Sequence, residues 1–203
     1  MFKRILLLSV TLLFLSACAS LLAPKVESQW EELKPGSYVL DKTHAALLFK
    51  IQHLGLSTYV GRFNTLEASL EFDPADLSAT RLTAIVDMTS IDINDPGLAK
   101  DLMGSQWFNT ARFPQAKFQT LSVRPIGDSE FEFVGELDWR GKKQPITLEV
   151  IFHGGANNLL TGKYTLGFSA TGSFKRSDFG MDSYIPLVGD EVKLEGFAEF
   201  LRN

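Results

Sequence analysis

The stretch Ala45–Gly55, AALLFKIQHLG, decides the fold. Leu47, Phe49 and Ile51 alternate with Leu48, Lys50 and Gln52, the period-2 pattern of a strand with two unlike faces. His53 falls in step with the apolar row and gives it a polar tip. Such a strand must bury one face against others of its kind, so it predicts the start of a closed sheet.

The rest of the chain supplies those others. A first strand over Ser37–Leu54, open to a break near Asp41–Thr43, is followed by a second over about Tyr59–Asp73. There Leu66, Ala68, Leu70 and Phe72 oppose Glu67, Ser69, Glu71 and Asp73. A third covers about Arg81–Ile91, with Leu82, Ala84, Val86 and Met88 in one row. Asp95-Pro96-Gly97 then breaks the pattern. Asp95 is a helix cap, Pro96 suits the first helical position, and Leu98 and Leu102 recur at helical spacing. One short helical insert near 95–107 is therefore expected, with Trp107 and Phe108 packing over an end of the sheet. Strand patterns return at Ala116–Thr120, Phe131–Trp139, Ile146–Phe152, Tyr164–Phe174 and Val192–Phe200, separated by turns such as Arg140–Lys143 and Gly154–Asn158. About eight antiparallel strands result, with no internal repeat. An all-β, eight-stranded up-and-down barrel buries one face of each and leaves no edge.

The N-terminus adds an address. Lys3 and Arg4 precede a mainly apolar run from Ile5 to Leu15, which ends in Ser16-Ala17-Cys18. That is the form of a secretory signal peptide, and the run is shorter than the ~20 residues needed to span a bilayer. Leu15–Cys18 resembles the bacterial lipoprotein processing motif, so residues 1–17 are expected to be removed and Cys18 acylated. Ala19 and Ser20 lack the aspartate associated with inner-membrane retention. The expected location is the cell envelope, on the outer membrane and facing the periplasm. Residues 18–35 read as a tether and 36–203 as the domain. Cys18 is the single cysteine, so no internal disulfide forms.

Formal net charge is −4, or −6 once Lys3 and Arg4 are removed, and no basic patch of nucleic-acid-binding size is evident. The apolar rows mix aromatics with very small residues: Ala68, Ala84, Ala116, Gly135, Ala170, Gly172, Gly196 and Ala198. If these rows point inward, side chains leave part of the interior as an apolar cavity. The alternatives are that the glycines only mark bends, or that the apolar rows face lipid in an outer-membrane pore. The helical insert, the acidic residues of the polar rows and the redundancy of a lipid anchor argue against a pore. His44, His53 and His153 lack metal-ligand spacing, and no phosphate-binding or nucleophile-elbow motif occurs. The residues thus point to a binding protein with no catalytic group, metal or cofactor.

In this order, several local patterns resemble the YceI-like family of bacterial periplasmic proteins, also called polyisoprenoid-binding or lipocalin-like. They are Tyr38–Asp41 with His44, Phe49–Gly55, Gly61–Phe63, Glu71–Pro74, Lys100–Leu102 through Trp107–Asn109, Arg112–Pro114, Gly135–Leu137 with Arg140-Gly141, Arg176–Met181 and Val188–Val192. Trp107 departs from the family, which more often has a polar residue there. The resemblance spans roughly Gly36 to Leu201. It implies a long apolar tunnel for an isoprenoid quinone, a polyprenyl phosphate or a similar amphiphile, held as ligand by an envelope carrier, buffer or storage protein. The expected lining is Phe49, Ile51, His53, Phe63, Leu70, Phe72, Phe118, Phe133, Leu137, Phe168 and Ala170. Arg176 is the head-group candidate, against pairing with Asp178 or nearby backbone. Expected partners are the isoprenoid and the membrane holding acylated Cys18, with a homodimer or an envelope protein left open. The alternative is a structural or interaction lipoprotein with a filled interior.

Overall fold

A computed structural model describes residues 24–203. The signal segment and Cys18 lie outside the described residues. Ten strands follow: β1 (Gly36–His53), β2 (Ser57–Phe63), β3 (Leu66–Phe72), β4 (Arg81–Asp87), β5 (Ile91–Asp92), β6 (Gln115–Pro125), β7 (Glu130–Trp139), β8 (Lys142–Asn157), β9 (Tyr164–Lys175) and β10 (Val188–Arg202). Eight of them, β1, β3, β4, β6, β7, β8, β9 and β10, pair in that order, and β10 pairs back to β1. That return pairing closes the barrel, and all pairings are antiparallel. The two extra strands extend the wall at one end, β2 beside β1 and β5 beside β2.

β2 and β3 occupy the second strand of the sequence pattern, β4 and β5 the third. The breaks have a shared cause. Asn64 N–H donates to the Ser90 carbonyl (3.0 Å), Thr65 N–H to Ser90 Oγ (3.0 Å) and Asp87 N–H to the Thr65 carbonyl (3.1 Å). Side-chain and loop hydrogen bonds there replace ladder bonds, which period-2 alternation does not register.

β1 continues through the suspected break, but with extra residues. Leu40 faces Phe200 and Ala45 faces Ala198, so five steps on β1 oppose two on β10. Asp41–His44 bulge outward and bring Ala45, Leu47 and Phe49 back onto the inner face. A bulge bends a strand and raises its local twist, which helps a sheet close.

The apolar rows face inward. Leu70, Phe72, Phe118, Phe131 and Phe133 are buried, while Glu67, Glu71 and Gln119 on the alternate positions are exposed. An outer-membrane barrel would carry the reverse pattern.

The two ends are closed differently. At one, Leu33, Tyr38, Phe72, Phe131, Phe152, Tyr164 and Leu166 form a packed cluster. Trp30, in a 3-10 turn over Trp30–Glu32, inserts into it, 5.2 Å from Phe152 in a stack and 5.6 Å from Phe131 edge-on. Glu27 and Gly155 exchange backbone hydrogen bonds, and Tyr164 donates to Glu27 at 2.7 Å. Burial pushes the fully buried Tyr38 hydroxyl up to about 12. Residues 27–33, within the stretch that reads as tether, thus plug the barrel. Aperiodic sequence hid this, because a plug needs only one or two large apolar groups.

At the other end sits α1 (Pro96–Leu102). Asp95 Oδ1 accepts from Gly97 N–H (2.8 Å) and Leu98 N–H (3.0 Å), and Pro96 occupies the first turn. The helix stops at Leu102, and turns carry the chain to Phe113. Phe108 packs 5.3 Å from Trp139 and 6.1 Å from Phe63, while Trp107 stacks on Tyr184 at 6.1 Å. This end is the mouth.

A two-chambered tunnel along the barrel axis

Between plug and mouth the inward side chains do not fill the barrel. Two chambers lie in series, an inner one of about 200 Å³ and a mouth chamber of about 390 Å³. They share Leu47, Val86, Ala116, Leu137 and Leu194, which form a waist. Val188 lines the mouth chamber and Phe200 the inner one, twelve steps apart on β10. At ~3.3 Å per residue and a tilt of ~40°, the lined length is about 30 Å along the axis.

Small residues account for the inner chamber. Ala68, Ala84, Ala116, Ala170, Gly196 and Ala198 all line it. Gly135 and Gly172 do not. An added Cβ at Gly135 would stand 2.4 Å from Phe118 Cε2, and one at Gly172 would stand 2.6 Å from Leu148 Cδ2. These two glycines seat larger neighbours, whereas the nearest atom at Gly196 is the Ala170 Cβ, 4.0 Å away.

The structure distributes the predicted lining residues over three places. Phe49, Ile51, His53, Phe63 and Leu137 border the mouth chamber. Leu70, Phe118, Phe133, Phe168, Ala170 and again Leu137 border the inner one. Phe72 borders neither: it lies in the plug cluster, 6.1 Å from Phe152 and 6.3 Å from Tyr38. Alternation assigns Phe72 to the inner face correctly, but it carries no information on depth along the axis.

Polarity is graded. The inward rows around the inner chamber are apolar, and Glu67, Ser169 and Thr171 border it from the outward rows. Polar tips gather at the mouth chamber, where His53, Tyr59, Tyr184 and Arg176 contribute. His53 is exposed at the hairpin between β1 and β2.

Arg176 is 3% exposed. Its Nε donates to the Gly189 carbonyl (2.8 Å), one terminal nitrogen to Met181 (2.6 Å), the other to Ser183 (2.9 Å) and Val188 (3.0 Å). Its guanidinium lies 5.5 Å over the Trp107 ring. Burial lowers its pKa, with Asp190 and Asp182 opposing. Four carbonyls take four of the five guanidinium N–H groups, which ties this side chain to the mouth loop 176–189. Asp178 is not among its partners; Asp190 instead accepts from Ser177 N–H and Oγ at 2.9 and 2.8 Å.

One cluster escaped sequence reasoning. Asp41, His44 and Glu199 bring one ligand-type atom each within 4.8 Å of the others. Asp41 Oδ1 accepts from Thr43 N–H (2.9 Å) and Thr43 Oγ1 (2.6 Å), and its Oδ2 lies 3.0 Å from His44 Nδ1. The Thr43 and His44 hydrogen bonds bring the Asp41 carboxyl down to about 2, and the Asp41 hydrogen bond raises His44. The Asp41 bonds to Thr43 and His44 clamp the β1 bulge, and the Glu199 charge favours the protonated His44 ring. The cluster's sequence signal was Asp-x-x-His beside an interrupted alternation; only barrel closure adds Glu199.

The matching family model is that of the YceI-like domain, over residues 38–200. The chain belongs to this family. A curated YceI-like relative, protein YceI of Escherichia coli O157:H7, is 35% identical over 159 residues, which is 77% of this chain and 82% of that protein. The YceI protein of Campylobacter jejuni superposes with a TM-score of 0.65 at 28% identity, over 76% of this chain and 91% of that one. A domain described as polyisoprenoid-binding, from Saccharophagus degradans, has the same fold, with a TM-score of 0.64 at 14% identity over 84% of this chain and all of that one.

Proposed function

We propose that this YceI-like chain holds a long-chain isoprenoid, a polyprenyl phosphate, an isoprenoid quinone or a similar amphiphile, in its tunnel. It acts as a reversible carrier or buffer in the bacterial envelope. The observation that carries this reading is the pair of apolar chambers in series, closed at the plug, with the inward-facing polar tips gathered at the mouth. A tail lies inward and its head group stays near His53, Tyr59 and Tyr184. The polyisoprenoid-binding domain of like fold supports the choice of ligand class.

Energetics set the mode of action. Removing ~40 tail carbons from water at ~0.8 kcal/mol each comes to ~30 kcal/mol, past the ~20 kcal/mol ceiling of non-covalent binding. The real competitor is a bilayer, which solvates the tail about as well. Net transfer is therefore small, and exchange is reversible with no covalent step. Acylated Cys18 would keep the tunnel close to its source, on the outer membrane and facing the periplasm. A filled interior, which the interaction-protein alternative needs, does not match the two chambers.

Native mass spectrometry of the protein expressed in its own host, with identification of the released lipid, tests the reading. An isoprenoid-sized adduct is expected, together with uptake from isoprenoid-loaded vesicles. Protein without extractable lipid that takes none up would refute it.

A further inference from the structure

The mouth is bordered by α1 with its following turns, which carry exposed Lys100, Asp101 and Arg112, and by two loops, which are uncharged. Ile51–Gly61 and Ser183–Gly189 contain no Asp, Glu, Lys or Arg, in a chain with 22% charged residues. They meet where Leu54 N–H donates to the Leu187 carbonyl at 2.7 Å. Apolar side chains stand out from them into solvent: Leu56 is 84% exposed, Leu187 58%, and Leu54, Val60 and Ile185 are also exposed. Tyr184, 65% exposed, stacks on Trp107, whose ring lines the mouth chamber. Along these two loops the apolar tunnel wall thus continues onto an apolar outer rim, with exposed Arg62 and Asp182 just beyond their ends.

We infer that this rim, built on Leu54, Leu56, Tyr184, Ile185 and Leu187, docks the mouth onto the surface of a lipid bilayer. Two features select a bilayer over a protein partner. Surfaces that recognise proteins carry a polar rim close around their apolar centre, whereas the exposed patch here runs across two whole loops with no charged residue in either. Tyrosine and tryptophan rings beside exposed leucines match the boundary between headgroups and hydrocarbon, where such rings are enriched. Docking joins the hydrocarbon of the membrane to the tunnel, so a tail passing between them stays out of water. With no basic cluster, attachment rests on apolar burial and is insensitive to salt and to anionic lipid.

The inference rests on the tunnel reading for its purpose but is tested apart from it. Residues 24–203 contain the whole closed ring, the plug and the mouth, and serve as the test protein. Flotation with phosphatidylcholine vesicles free of isoprenoid reads docking alone. The expected result is partition onto vesicles, equal at low and high salt. Leu56→Ser with Leu187→Ser lowers it about tenfold or more, with an unchanged denaturation midpoint. Leu159→Ser with Leu160→Ser, at the exposed β8–β9 turn of the plugged end, leaves it unchanged. A wild-type protein that stays unbound, or partition that follows Leu159 and Leu160 or is indifferent to the rim pair, overturns the inference. Isoprenoid presented in detergent separates the two readings. Uptake from detergent without docking leaves the tunnel reading standing, and docking without uptake leaves the rim standing.

Discussion

Ala116→Leu tests whether the tunnel is continuous. Ala116 is buried on β6, and both chambers border it, so a larger side chain there enters the waist. Leucine adds three carbons. If they enter the chambers, their burial contributes about 2 kcal/mol, less about 0.5–1 kcal/mol for the ordered side chain. The net expectation for the delipidated protein is about 1 kcal/mol of added stability, a rise of about 2–4 °C in Tm for a domain of this size. In a filled interior the same carbons would overpack the site and cost about 1–3 kcal/mol. The two cases differ in sign, so urea denaturation of wild type and variant separates them. Binding supplies a second arm. Tails short enough for the mouth chamber should bind as before, while tails that need the full ~30 Å of lined length should weaken tenfold or more. A destabilised variant, or long tails bound as tightly as in wild type, would refute a tunnel running through the waist.

Further outcomes follow from the clamp, the mouth loop and the seated glycines. Folding raises the His44 pKa above the ordinary 6.5, chiefly through its Asp41 hydrogen bond, so the protonated ring favours the folded state. This contribution is complete below pH 6.5 and is lost as pH rises through the folded value; His44→Asn should flatten that decline in urea midpoints. Asp41, held at about 2, contributes in the opposite sense: its stabilisation is present above 3.8 and is lost as pH falls through about 2. Arg176→Met leaves four carbonyls without their donor and should cost about 3 kcal/mol, read by thermal denaturation, with faster amide exchange over residues 176–189. Gly135→Ala, whose Cβ meets Phe118 at 2.4 Å and the Gln119 carbonyl at 2.5 Å, should cost about 2 kcal/mol or more, whereas Gly196→Ala should be tolerated.

Much of the site was legible before the fold was built. Phe49, Phe63, Phe118, Phe133, Leu137 and Phe168 all stand on the inner face because period 2 fixes the side of a strand. It does not fix depth. Phe72 and Phe118 look alike in the pattern, yet one packs into the plug and the other borders the inner chamber. Nor does it tell a glycine that seats a ring, such as Gly135, from one that leaves room, such as Gly196. That difference depends on the side chain arriving from the neighbouring strand.

By itself, then, the AALLFKIQHLG stretch and its successors determined an eight-stranded barrel with apolar rows and one helical insert, because alternation, capping and turn chemistry are local. Tertiary structure alone decided that the rows face inward around two chambers, that residues 27–33 plug one end, and that Arg176 serves the mouth loop. It also brought Glu199 to His44 across 155 positions of chain and to Asp41 across 158, and Leu187 to Leu54 across 133. Closure of the ring puts β1 beside β10, and no periodicity within either strand records which neighbour it will meet.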